Sequence, residues 1–181
     1  MRKIVAALHM SLNGVVESPD TWVFPHGYSN EEMVQEIGAS MASSDTMLLG
    51  RVTYEEFAAH WPRQTGEVAD FMNNAPKVVV STSLDAAEWK NSILIGGNVV
   101  EELTRLKQQP GKDINVVGSA TLVRSLLREG LLDELKLLVC PILVGGGRRL
   151  FEDGGEVPLR LVDAKTFSTG VQSLTYTPAG G

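Results

Sequence analysis

Two stretches of this 181-residue chain combine residue types that gather phosphate oxygens. In the first, the apolar run Thr46-Met47-Leu48-Leu49 enters Gly50-Arg51-Val52-Thr53, after which a helical pattern begins. In the second, Val116-Val117 enters Gly118-Ser119-Ala120-Thr121-Leu122, again at the start of a helical pattern. A glycine permits a tight turn and close approach of the backbone to a ligand. The free N–H groups and positive end of a new helix attract anions. Arg51 adds a planar cationic fork matched to phosphate. A third stretch, Ser81-Thr82-Ser83, closes a strand of β-branched residues with hydroxyls, at the carboxyl edge where open α/β sheets bind ligands. Three anion-friendly strand ends in one small domain point to a ligand with several phosphates, such as a dinucleotide.

Other chemistries lack their residues. The three histidines, His9, His26 and His60, have no ligand-like spacing, so no metal is expected. There is no Gly-x-Ser-x-Gly elbow, and Cys140 has no base near it in sequence, so nucleophilic catalysis is unsupported. Gly145-Gly146-Gly147-Arg148-Arg149 lacks the Gly-Lys-Ser/Thr ending of a P-loop and reads as a turn. No Gly-x-Gly-x-x-Gly follows a strand, which disfavours a standard dinucleotide-binding Rossmann domain. Glu31, Glu32 and Glu36 open a helix after the aromatic loop 15–28. Glu32 is the candidate proton donor among them, but Ser29 with Glu32 also fits a capping box.

The elements that must position these residues follow from periodicity. Strands are expected at 2–10, 46–49, 77–80, 92–95, 113–117 and 134–144, the last broken at Pro141, with a hairpin of 158–167 and 171–177 around Ser168-Thr169-Gly170. Helices are expected from Ser29 to about Ser43, from Thr53 to 60, over 66–74 and 98–108, and from a Ser119 cap to Gly130. Strands alternating with helices, followed by strands alone, predict a single α/β domain over 1–181, with a mostly parallel sheet and an antiparallel edge. Its length allows a substantial core. The net charge of −6 and the absence of a basic run exclude a nucleic-acid surface. No apolar segment approaches the length of a membrane span. A single cysteine allows no internal disulfide and fits a reducing cytoplasm.

The order and spacing of Ser11-Leu12-Asn13-Gly14, Leu48 to Glu55, Lys77 to Leu84, Val117 to Leu127, and Gly130 to Gly145 resemble the riboflavin-biosynthesis reductase C-terminal domain family, which shares the dihydrofolate reductase-like fold. The resemblance implies a mixed sheet of about eight strands flanked by helices, with NADPH bound at the strand ends and a homodimeric assembly. Carried onto this chain, Gly50, Arg51, Val52 and Thr53 face the phosphates, and Ser81 and Thr82 lie near the adenosine 2′-phosphate. Gly118, Ser119, Ala120, Thr121 and Leu122 cradle the pyrophosphate, while Ala7, Asn13 and Gly14 border the nicotinamide and its ribose. Trp22, Phe24, Met33 and Tyr54 fall on the substrate side. The reaction implied first is reduction of the phosphoribosylaminouracil of riboflavin synthesis. The alternatives are folate reduction and NADP binding without turnover. The chain departs from the family pattern by having Gly118-Ser119 where relatives carry Gly-Gly. The helix carboxylate of dihydrofolate reductases would fall near Val34, which cannot donate a proton. With no deaminase domain before it, the chain reads as a stand-alone reductase-like domain.

Overall fold

A computed structural model describes residues 1–152 and 155–180. Its elements, in chain order, are β1 (Ile4–Ser11), α1 (Glu31–Ala42), β2 (Ser44–Gly50), α2 (Arg51–His60), α3 (Glu67–Asn74), β3 (Lys77–Val80), β4 (Ser92–Ile95), α4 (Val99–Gln108), β5 (Asp113–Val117), α5 (Ala120–Arg128), β6 (Glu134–Cys140), β7 (Leu159–Thr166) and β8 (Gln172–Pro178). They build one eight-stranded sheet in the order β4-β3-β2-β5-β1-β6-β8-β7. Neighbours from β4 to β6 pair parallel, and β6-β8 and β8-β7 pair antiparallel. This is the mixed α/β architecture with a C-terminal antiparallel hairpin that the sequence pattern predicts.

The parallel strands are apolar on both sides because both faces of the sheet are covered. Side chains alternate across a strand. Leu48 and Val78 therefore join one core, with Ile4, Ala6 and the inward face of α5. Met47, Leu49 and Val79 join the opposite one, with Tyr54, Met72 and Trp89. A third cluster under α1 and the β7–β8 turn gathers Trp22, Met33, Leu138, Cys140 and Phe167. On α5, Leu122, Val123, Leu126 and Leu127 are all buried. Each such side chain is worth about 1.5–3 kcal/mol in removal from water, so packing rather than propensity holds this nine-residue helix in place.

Several element ends differ from the sequence expectation, each for a local reason. The first helix is capped by Asn30, whose Oδ1 accepts from Met33 N at 3.0 Å, so the Ser29 capping box is not formed. The second begins at Arg51, with Gly50 in extended backbone as its cap. Thr53 therefore lies inside the first turn instead of capping it. Strand β6 stops at Cys140 because Pro141 has no N–H to continue a ladder. Its apolar run is accounted for by its interior position between β1 and β8. The exposed strand at that edge is β7.

Topology sets the site. From β1 the chain steps over a gap to β2, moves outward through β3 to β4, and returns to insert β5 into the gap. The carboxyl ends of β2, β3 and β5 lie side by side, with Gly50 against Val80 and Leu49 against Val117. Beyond the last β1–β5 pair, Ala6 with Val116, strand β1 runs on through His9 to Ser11. Ala7, Leu8 and His9 thus form a floor where β5 has already peeled away into Gly118.

Candidate active site

Gly50, Arg51, Val52 and Thr53 share one groove with Gly118, Ser119, Ala120, Thr121 and Leu122, a concavity of about 1020 Å³ floored by Ala7, Leu8 and His9. The two strand-to-helix junctions interlock. A Cβ on Gly118 would lie 2.8 Å from Thr53 Oγ1, and one on Gly50 would lie 2.9 Å from Ser119 Oγ. Gly118 also has a φ of +67°, which favours glycine. Glycine at both positions is what lets the helix starts of α2 and α5 converge on one space.

The groove's affinity for anions comes from the backbone. No side chain caps α2, so its first-turn N–H groups have no cap partner and carry the positive end of the helix. On α5, Ser119 Oγ accepts from Leu122 N at 3.2 Å, which uses one first-turn donor and leaves the others. Ser119 reaches this position with a left-handed φ of 57°. A non-glycine residue there costs about 1–3 kcal/mol. This is the residue that stands where the resemblance places glycine. Side-chain charge gives the groove no positive excess, because Arg51 and Arg148 are offset by Glu17, Asp20 and Glu56. Arg51 is half-exposed and pairs with Glu55 at 2.9 Å. An exposed i,i+4 pair of this kind is worth about 0.3–0.5 kcal/mol. The guanidinium is therefore free to turn to a stronger anion at little cost. These features fit a pyrophosphate held on amides, with one guanidinium beside it.

Below the floor, on the α1 and α2 side, lies a second cavity of about 300 Å³. It shares Ala7, Leu8, His9, Phe57 and Val117 with the groove, so the two adjoin across these residues. Strands β2, β5 and β6 contribute Met47, Asn115 and Leu138, and α1, α2 and α3 supply apolar walls. His9 is half-buried, and desolvation lowers its pKa below the usual histidine value. Asn115 Oδ1 and Trp61 Nε1 are buried with no hydrogen-bond partner among the described residues. Among the described residues, no group of three or more His, Cys, Asp or Glu is placed to hold a metal ion.

The family model of the RibD C-terminal domain matches residues 2–173. The chain belongs to this family. A relative, YyaP of Bacillus subtilis strain 168, is 28% identical over 185 residues, covering 97% of this chain and 94% of YyaP. The RibD C-terminal fold seen here is also that of a pyrimidine reductase-like protein from Corynebacterium diphtheriae, with a TM-score of 0.71, 13% identity, and coverage of 99% of this chain and 93% of that one. Dihydrofolate reductase from Enterococcus faecalis, solved in complex with NADP(H), superposes with a TM-score of 0.65 and 15% identity over 98% of this chain and 96% of the enzyme. The fold is dihydrofolate reductase-like.

Other residues carried over from the RibD C-terminal pattern lie elsewhere. Val80, not Ser81 or Thr82, reaches the groove. Ser81 Oγ is turned inward and accepts from the backbone N–H of Ser83 and Leu84, while Thr82 is exposed at the strand end. Asn13 and Gly14 do not line the groove. Asn13 Oδ1 accepts from Val144 N at 3.0 Å and its Nδ2 donates to Val144 O at 2.8 Å, which pins the Ser11–Gly14 turn to the segment after β6. Gly14 supplies the positive φ of that turn.

The expected substrate side divides. Trp22 and Met33 are core residues of the third cluster, and Tyr54 is buried in the second, its hydroxyl accepting from Trp89 N at 2.9 Å. Phe24 is exposed on the aromatic loop. None of the four lines either cavity. Glu32 lies outside both as well. Its carboxylate accepts from Ser168 Oγ, Ser168 N and Asn30 Nδ2 at 2.6, 2.8 and 3.0 Å. The Ser168 hydroxyl foremost, then its backbone N–H and Asn30, hold that carboxyl below the usual range. Glu32 clamps α1 to the β7–β8 turn. The residues that do line the inner cavity, Asn115, Phe57, Trp61 and Leu138, come from separate elements with no shared motif. Only the half-polar pattern of β5, which inserts Asn115 into an apolar strand, signalled any of them.

Proposed function

We propose that this chain is an NADPH-dependent reductase of a small heterocycle. The observation that carries the reading is an amide-lined groove, built from two helix starts, adjoining an apolar pocket beneath its floor. When bound, NADPH supplies a hydride from its nicotinamide ring. The residues of the chain bind and orient. First-turn amides at 51–53, with those of Ala120 and Thr121, hold the phosphates, and Arg51 takes the adenosine 2′-phosphate. Ala7 and Val117 allow a flat ring to lie on the floor above the pocket. The pocket excludes water and fixes the acceptor, so that orientation rather than covalent chemistry lowers the barrier. A proton must accompany the hydride. His9 is the titratable group at the junction of the two spaces, and it takes the role first considered for Glu32. With Glu32 and Tyr54 committed elsewhere, folate reduction through a helix carboxylate loses its acid.

Two further properties belong to the same reading. Cys140 is buried, and desolvation pushes its thiol up to about 11, so it is an inert core residue suited to a reducing compartment such as the cytoplasm. The family resemblance carries a homodimer, which light scattering in solution tests.

The experiment for the cofactor is a pair of fluorescence titrations. Arg51→Ala weakens NADPH binding about tenfold or more and leaves NADH binding nearly unchanged, the pattern of a charge-assisted contact to one phosphate. Equal losses for both would remove Arg51 from the 2′-phosphate.

A further inference from the structure

The inner cavity has the chemistry of a selective site, and its selectivity follows from what its wall lacks. Resting on the reading above, we propose that it takes an uncharged one- or two-ring lactam, hydrogen-bonded by Asn115 and Trp61, and rejects substrates bearing phosphate or carboxylate groups.

Apolar side chains dominate the wall, among them Ile37, Met41, Met47, Phe57, Phe71 and Leu138. Among the described residues, no lysine or arginine lines it, and the one carboxylate there, Asp45, is already committed. Asp45 pairs with the Arg2 guanidinium and accepts from Thr46 Oγ1 and Lys112 N. A phosphate entering this space would lose its water, meet no lysine or arginine and face a carboxylate. An unpaired buried charge is among the most costly arrangements in a protein. At about 300 Å³ the cavity is also at the small end for ligand sites, a size suited to one or two fused rings.

The wall's polar atoms give the positive half. The chain has three tryptophans. The indole N–H of Trp22 donates to Glu17 O, and that of Trp89 donates to Asn73 Oδ1. The indole N–H of Trp61, at the cavity, is buried and has no partner among the described residues. Asn115 Oδ1 on the β5 side of the same cavity is in the same state. Buried polar groups are almost always satisfied, and leaving one unpaired costs about 1–3 kcal/mol. A donor and an amide around one apolar space match a ligand with a carbonyl for the indole and an amide edge for the asparagine. Asn115 can present either its oxygen or its nitrogen, so it serves both halves of a lactam edge. A site with such unpaired groups discriminates strongly against ligands that cannot pair with them.

The test is isothermal titration of the NADP-saturated protein with quinoxalinone, an uncharged bicyclic lactam, and with uridine monophosphate. Quinoxalinone is expected to bind saturably and at least about a hundredfold more tightly than uridine monophosphate. Trp61→Phe keeps an aromatic ring while removing the N–H, and Asn115→Leu removes the amide. Each should weaken quinoxalinone about tenfold. Retained thermal unfolding midpoints separate lost contacts from lost folding, and if Asn115→Leu does not fold, Trp61→Phe decides alone. Comparable or tighter binding of uridine monophosphate, no saturable quinoxalinone binding, or unchanged affinity in the folded variants would each overturn the proposal. NADPH quenching by cofactor-free samples of the same proteins reports the groove separately. Intact NADPH binding with the wrong ligand preference sinks this inference alone, and absent NADPH binding sinks the reductase reading.

Discussion

Glu32 and Arg51 show how far a residue's type can be read for chemistry before its neighbours are known. Both stand at a helix start, and both carry charges suited to catalysis or binding. Arg51 belongs to a junction whose strand ends inside the sheet, so it faces the groove. Glu32 belongs to a helix that starts from a loop, and the long-range partner that claims it, Ser168, is 136 residues away. Glu32→Ala should therefore leave NADPH oxidation nearly unchanged while loosening the α1 start. Hydrogen exchange at the Ser168 amide, whose N–H now donates to that carboxylate, should speed up. A collapse of turnover with Ser168 protection intact would return Glu32 to the chemistry. Trp61 was illegible for the same reason in reverse, and Asn115 was marked only by its polar place in an apolar strand. Neither sits in a motif, and only strand register with the fold of α2 onto the sheet brings them to one cavity.

At the scale of elements, the order of strands and helices follows from period, and every predicted element is present. Ends were less readable because a helix start is decided by tertiary contact as well as by capping preference. Thr53 is a good cap by type, yet its hydroxyl packs on Gly118, and Gly50 takes the capping position. That contact predicts a reciprocal pair of substitutions. Gly50→Ala places a Cβ against the Ser119 hydroxyl while its own φ of −81° remains allowed. It should cost about 1–3 kcal/mol in denaturant unfolding by overpacking. In Gly50→Ala combined with Ser119→Gly the obstructing side chain is gone and the left-handed backbone strain is relieved. The double variant should recover most of that loss, less the contribution of the Leu122 cap. Simple additivity of the two changes would mean that the junctions do not touch. A second element-level test is Leu126→Ala on α5, whose side chain is fully buried. It should lower unfolding free energy by about 2–5 kcal/mol.

At the scale of the whole molecule, a buried lysine sets a pH dependence of stability. Lys77, at the start of β3, is almost fully buried, and its ammonium donates to the carbonyls of Ala75, Lys90 and Asn73 at 2.7, 3.0 and 3.2 Å over the Trp89 ring. Burial, with the Lys90 charge second, lowers its pKa from 10.5 to about 8. Between those values the unfolded chain holds the proton that the folded chain has released, so stability should rise as pH climbs from about 8 toward 10.5. Lys77→Met should flatten that part of the stability profile, and an unchanged slope would show that the three carbonyls keep the ammonium charged throughout. The same sheet that buries Lys77 at one end opens the groove at the other, and sequence made the second more legible than the first. Glycine and hydroxyl residues announce a strand end, whereas a lysine within an apolar strand gives no sign that carbonyls await it.

Amide chemical-shift mapping of the uniformly labelled protein during an NADPH titration addresses the central claim most directly. Saturable shifts should be largest at the backbone N–H groups of residues 51–53 and 119–122, with smaller ones at Ala7 and His9, and Arg51→Ala should reduce their affinity without moving them elsewhere. Shifts gathered on another face of the molecule, or none that saturate, would contradict the assignment of this groove to the cofactor.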